Sequence, residues 1–196
     1  MKRTAILIDG GYARSLTNSR GVIYNPDYIE KIAHACRAAQ DDLLRILYYD
    51  CRPFKGTVDR PVSGKKHNFQ GNPGWLYELS RKDQFAVRLG ILKFRGWRPR
   101  NIPLASGSLS DNDFDPVFEQ KGVDMRIGLD IASYSDARAV ERIVLVSGDT
   151  DCIPAMKHAR KAGLEVVMVQ FEEIASLAPE LLSHCDFTRA VSWPEP

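Results

Sequence analysis

Short runs of branched apolar residues, each stopped by a polar turn, alternate along this chain with stretches of helical periodicity. Arg3–Ile8 (RTAILI) has the near-continuous apolar character of a strand buried on both faces and ends at Asp9-Gly10-Gly11. Leu43–Tyr49, Phe85–Phe94, Arg142–Val146, Leu164–Gln170 and Phe187–Val191 predict further strands, with Val87, Leu89 and Ile91 alternating in the second of these. Between them, Pro26–Ala39 carries Ile29, Ile32, Ala33 and Cys36 at helical spacing behind Asn25, a suitable N-cap. Trp75–Lys82 predicts a short helix. Gly122–Tyr134 aligns Val123, Ile127, Ile131 and Tyr134 on one stripe, Ile153–Ala162 stops at Gly163, and Ala175–Ser183 predicts a last helix. Two stretches lack periodicity. Arg52–Pro73 and Arg95–Gln120, the latter with three prolines and the run SGSLSDND, predict long loops, the first of them mobile. Strands alternating with helix-length crossovers imply an α/β fold with a mostly parallel sheet covered on both faces.

The chain of 196 residues, 44% hydrophobic and 27% charged, suits one soluble domain with elaborated loops. Its basic start, MKRTAILIDGG, does not make a signal peptide: the apolar stretch Ala5–Ile8 is too short and runs into an aspartate. No segment approaches the roughly 20 apolar residues of a membrane span. Cys36, Cys51, Cys152 and Cys185 are dispersed, without metal-ligand spacing, and point to reduced thiols in the cytoplasm. The net charge of +2 hides a segregation. Seven bases face one acid between Arg81 and Arg100, whereas ten acids face four bases between Asp111 and Asp151. A basic surface beside an acidic pocket suits a metal-dependent enzyme acting on a polyanion, and two solvated faces suit the same numbers.

The acids are most concentrated in IVLVSGDTD (Ile143–Asp151), where a buried strand ends in a turn that holds Asp149 and Asp151. Asp9 ends the first strand, and Asp124 lies in the first turn of a helix, where the dipole tolerates a negative charge. Each alone has an ordinary explanation, such as Asp151 capping its own helix. Together, at ends of strands expected to be neighbours, they would repel one another unless protonated or bridged by a cation.

IDGG (Ile8–Gly11), KGVD (Lys121–Asp124) and SGDTD (Ser147–Asp151), in this order and on these elements, resemble the NYN domain of the LabA-like (DUF88) group in the PIN-like nuclease superfamily. The resemblance extends from about Thr4 to about Val169. It implies a three-layer α/β/α sandwich over a single domain spanning 1–196, and metal-dependent hydrolysis of RNA phosphodiester bonds. The expected type is an endoribonuclease, although no residue separates endo- from exonucleolytic cleavage. It transfers catalysis and metal ligation to Asp9, Asp124, Asp149 and Asp151, with Mg²⁺ or Mn²⁺ as the ion suited to all-oxygen ligands. Asp130 matches a commonly acidic position of the family but points about 120° away from Asp124 around the helix, which suits a supporting role. Tyr12 stands where the family usually has Asn, and puts the rate of turnover in question. Because PIN-like domains often pair, the resemblance also suggests a homodimer.

Candidate substrate contacts are Ser147 and Lys121 beside the acids, and Arg88, Lys93, Arg95, Arg98 and Arg100 for phosphates. Trp97 is a candidate for stacking on an unpaired base, against the alternative of packing the long loop onto the domain. Three rival readings remain. A phosphatase of the haloacid-dehalogenase type uses D-x-D, but 45 residues after Asp151 are too few for the rest of its fold. A dinucleotide-binding domain lacks its glycine spacing in IDGGYA. A non-catalytic module binding RNA or protein on the same fold is the strongest rival.

Overall fold

The computed structural model describes residues 1–103, 107–172, 174 and 176–196. In chain order its elements are β1 (Lys2–Asp9), α1 (Gly10–Ser19), α2 (Pro26–Ala35), β2 (Asp41–Cys51), β3 (Lys55–Asp59), β4 (Lys66–Gln70), α3 (Gly74–Ser80), β5 (Phe85–Pro99), β6 (Phe114–Lys121), α4 (Val123–Asp136), β7 (Arg142–Val146), α5 (Ile153–Lys161), β8 (Glu165–Phe171), α6 (Pro179–Leu182) and β9 (Phe187–Val191). Seven strands form one sheet in the order β6-β5-β2-β1-β7-β8-β9, parallel throughout except that β6 runs antiparallel to β5.

Successive residues of the central strands bury on opposite faces, which is why the strands are apolar without interruption. Ile6, Ile8, Ile46, Tyr48, Val144 and Val146 pack under α1, α2 and α3. Ala5, Leu7, Leu47, Tyr49, Ile143 and Leu145 pack under α4, α5 and α6. This is the α/β architecture expected, with helices on both faces of a mostly parallel sheet.

The structure departs from the expectations in four places. Residues 10–19 form a helix that two leading glycines conceal in the sequence; Asp9 caps it, and Ala13 and Thr17 bury its inner face. Arg52–Pro73 is not a structureless loop, since β3 and β4 pair as an antiparallel hairpin inside it. Nearly half of Arg95–Gln120 is strand as well. β5 pairs with β2 only over Phe85–Gly90; from Ile91 to Pro99 it pairs with β6 alone, forming a two-stranded arm. Of that segment, residues 104–106 lie outside the described residues. The helix expected over Ala175–Ser183 is confined to Pro179–Leu182, and position 175 also lies outside the described residues.

The hairpin is held onto the arm by rings. Phe54 and Phe69 from the hairpin side meet Phe94, Trp97 and Phe118 of the arm at centroid distances of 5.3–6.2 Å. A register shift between Phe94 and Gly96 keeps Phe94 and Trp97 on one face. Lys93, Arg98 and Arg100 are left exposed.

Candidate metal centre

From β1 the chain moves outward through β2 to β5 and β6, then returns to β7 on the other side of β1. The crevice at such a reversal, beyond the carboxyl ends of the strands, is where open α/β sheets bind ligands. Both flanking strands deliver acids to it. Asp9, the last residue of β1, accepts through Oδ1 from the backbone N–H groups of Gly11 (2.9 Å) and Tyr12 (3.1 Å). Gly10 is required at this junction, because a Cβ there would lie 2.7 Å from the Tyr49 carbonyl oxygen and would run into the Tyr48 ring. β7 leads into fully buried Ser147, whose Oγ accepts from the Asp149 N–H at 3.1 Å. Asp149 Oδ1 in turn accepts from the Asp151 N–H at 2.9 Å. The turn passes against the Tyr12 ring so closely that a Cβ on Gly148 would lie 2.7 Å from Tyr12 Cε2.

Asp124 enters from the first turn of α4. One carboxylate oxygen from each of Asp124, Asp149 and Asp151 lies within 4.8 Å of the other two, a group able to hold a metal ion. Burial, and next the charge of Asp149, raise the Asp124 carboxyl above its ordinary value, and Asp151 adds to the rise. Asp9 stands outside this 4.8 Å group. Its carboxyl is also raised, chiefly by burial, against the opposing pull of the Tyr12 and Gly11 N–H groups; the charges of Asp124 and Asp50 add to it. Among the described residues, no lysine or arginine forms an ion pair with any of the four acids. Oxygen-only donors in mutual repulsion, with no counter-charge of their own, fit a hard divalent cation.

The other candidates divide. Ser147 is buried and orients Asp149, so it has no exposed surface for a substrate. Tyr12 packs on Gly148, and its phenol is raised by burial and then by the charge of Asp9. Asp130 faces away from the cluster, accepting from the Tyr49 hydroxyl (2.9 Å) and Arg88 Nε (3.1 Å). Lys121 and Arg95 both pair with Glu119, and Arg100 pairs with Asp115 at 2.8 Å. These pairs are exposed and therefore weak enough to exchange for a phosphate. Trp97 is committed to packing: its indole N–H donates to the Asp59 carbonyl at 2.8 Å, and its ring lies 5.6 Å from Phe94. The packing alternative is the one the structure supports.

One buried acid near the site escaped the sequence. Asp50, at the end of β2 and 1% exposed, is ion-paired with Arg14 and accepts from the Tyr48 hydroxyl at 2.9 Å and from Gln120 Nε2 at 3.3 Å. The signal was an acid directly after a buried run, LYYD, as in LIID-like Ile6–Asp9 (ILID) on the neighbouring strand.

No curated protein and no solved structure matches the chain. The NYN domain matches residues 78–191, more than half of it. That span contains Asp124, Asp149 and Asp151, and begins later than the resemblance from about Thr4, so that Asp9 lies outside it. The acids at the sheet reversal and this match agree, and the chain belongs to the NYN domain family, within the PIN-like nuclease superfamily.

Proposed function

We propose that the chain is a metal-dependent ribonuclease of the LabA-like kind, folded as a single NYN domain over residues 1–196. The observation carrying this is the convergence of Asp124, Asp149 and Asp151 within 4.8 Å, without a basic partner, at the reversal of the sheet. Asp124, Asp149 and Asp151 would hold Mg²⁺ or Mn²⁺, and Asp9 completes the acidic edge. When bound, such an ion supplies Lewis acidity at the scissile phosphate and lowers the pKa of a bound water. The chain's own residues do the rest. Ser147 fixes the turn that aims Asp149, and the Gly11 and Tyr12 N–H groups fix one oxygen of Asp9, leaving the other for water or metal. Lys93, Arg98 and Arg100, exposed on the arm, attract the phosphate backbone. Among the described residues no helix is long and apolar enough to cross a membrane.

Asp149→Asn tests the reading. The variant should lose Mn²⁺-dependent cleavage of RNA while keeping the wild-type circular dichroism spectrum and a melting temperature in EDTA no lower than that of the wild type. Cleavage at the wild-type rate would remove the assignment. Tyr12 favours a second reading, a module that binds RNA without cutting it, and Mn²⁺ binding by calorimetry with no turnover by the wild-type protein would establish that one instead.

A further inference from the structure

A cleft of about 470 Å³ opens at the root of the arm, between α1, α3 and the end of β2. Two of its lining residues locate it relative to the acids. Gln120 lines the cleft, and its Oε1 would lie 3.0 Å from a Cβ placed on Gly11, which would also lie 3.3 Å from Asp9 Oδ1. Asp50 lines it too, and its charge acts on Asp9. β1 lies between β2, which carries Asp50, and β7, which leads to Asp149, so Asp9 at the end of β1 stands between the cleft and the three-acid group.

The cleft wall is a built one. The Arg14 guanidinium lies 5.5 Å from the Tyr24 ring centroid and 5.7 Å from that of Trp75, held by buried Asp50. Asp50 is fixed in turn by the Tyr48 hydroxyl, itself 2.9 Å from the Tyr24 hydroxyl. About a third (34%) of the Arg14 side chain remains exposed where it lines the cleft, and its guanidinium carries five donors of which Asp50 takes only part. Ile23, 78% exposed, sits on the rim. Rings and aliphatic groups with a few convergent hydrogen-bonding groups are the composition of a site for a small planar ligand.

We propose that this cleft takes one unpaired nucleotide of an RNA strand whose neighbouring phosphate lies at the acids. The proposal rests on the nuclease reading above and adds a substrate preference to it. A base in a duplex is stacked and paired, and must leave the stack to enter a recess in the protein surface. Trp75 and Tyr24 supply ring faces, while Arg14 and Gln120 supply donors for the base edge or ribose. Because Asp50 neutralises Arg14, that guanidinium acts as a directional donor, and attraction for phosphates falls to the arm.

The test compares a short single-stranded RNA with the same sequence as a duplex. Binding is read by fluorescence anisotropy in Ca²⁺, and cleavage in Mn²⁺. The single strand should bind at least about tenfold tighter than the duplex. Ile23→Glu and Trp75→Ala should each weaken single-strand binding about tenfold, the scale of a lost base–ring contact, and raise KM more than they lower kcat. Phe187→Glu, the same change of charge on exposed β9 at the far edge of the sheet, should do neither. Should Trp75→Ala fail to fold, Ile23→Glu at its exposed position still decides. Wild-type affinity in Ile23→Glu, or equal affinity for duplex, would overturn the cleft's role whatever the cleavage result. Absence of cleavage by the wild-type protein, with binding still sensitive to Ile23→Glu, would overturn the nuclease reading and leave the cleft's occupant standing. Absence of any RNA binding would overturn both.

Discussion

Replacing Asp124 with Asn should make the metal-free protein more stable and the metal-loaded protein less so. Two unit charges 4.8 Å apart repel by ~0.9 kcal/mol in bulk water and ~3.5 kcal/mol at an effective dielectric constant of 20. Asp151 is exposed and Asp149 half-buried, so the water limit is the closer one. Two such neighbours give a repulsion of about 2 kcal/mol, less whatever salt screens. Against this, an acid in the first turn of α4 gains ~0.3–1 kcal/mol from the helix dipole, which Asn forfeits. Repulsion wins by about 1 kcal/mol, a rise in Tm of roughly 2–4 °C for a chain of this size. The sign with pH follows from the raised Asp124 carboxyl. A carboxyl raised by folding favours the folded state below its unfolded pKa and loses that contribution as pH climbs through the folded value. The advantage of Asn is therefore full near neutral pH and vanishes below the ordinary carboxylate range. With metal the order reverses, since an ion at a hundredfold excess over its Kd stabilises the wild type by about 2.7 kcal/mol and the variant far less. Thermal melts in EDTA and in Mn²⁺, each at about pH 7 and about pH 4, measure all four states. A lower Tm for Asp124→Asn in EDTA at neutral pH, or a wild-type Mn²⁺ shift in the variant, would refute the reasoning.

Other changes separate packing from chemistry. Asp41→Asn should cost ~3–5 kcal/mol in urea denaturation, because it leaves Arg142 and Arg189 around a fully buried position without their shared carboxylate; a loss below about 1 kcal/mol would show that water reaches them. Tyr12→Phe should change cleavage by less than about twofold and stability by less than ~0.5 kcal/mol, as that hydroxyl forms no hydrogen bond among the described residues, whereas a tenfold fall in kcat would give the hydroxyl a role at Asp9. Trp97→Ala should loosen the hairpin from the arm and speed proteolysis within residues 52–73, with RNA affinity little changed; unaltered proteolysis with weakened RNA binding would restore Trp97 as a base contact.

What the sequence made legible depends on how far each element is stabilised locally. β1, β2, β7 and β8 were visible because both their faces are buried, so each residue reports the same environment. The hairpin was invisible because β3 and β4 alternate exposed and half-buried positions with lysines among them. Their stabilising rings are supplied from Phe94, Trp97 and Phe118, at least 25 positions away from Phe69 in the chain. The extension of β5 was hidden by Gly96 at the register shift and by Pro99 and Pro116, which mark turns in local terms yet sit here on an edge pairing. Asp149, Asp151 and Asp124 were legible because strand-end and helix-start acids have local signatures. The placement of Asp149 and Asp151 relative to Asp9, and of Asp50 beside it, follows from the register of β1 with β7 and with β2, which no local pattern contains.

The contrast among buried carboxylates decides between structure and function in this fold. At the amino edge of the sheet, Asp41 is enclosed by Arg142 and Arg189 and accepts from the Ala38 N–H at 2.8 Å, which together hold its carboxyl below the ordinary range despite burial. Asp50 has Arg14, Asp130 has Arg88, and Asp186 has Arg160 at 2.8 Å together with the Val166 N–H. Each of these four carboxylates is matched by a guanidinium. At the carboxyl edge the chain does the opposite: Asp124 and Asp9 are raised, Ser147 and a tight turn fix Asp149 and Asp151 beside Asp124, Lys121 pairs with Glu119, and Arg126 donates to the Gly122 carbonyl. Repulsion left unpaired here, in a protein that pairs Asp41, Asp50, Asp130 and Asp186 with arginines, is relieved by protonation or by a cation from outside the chain.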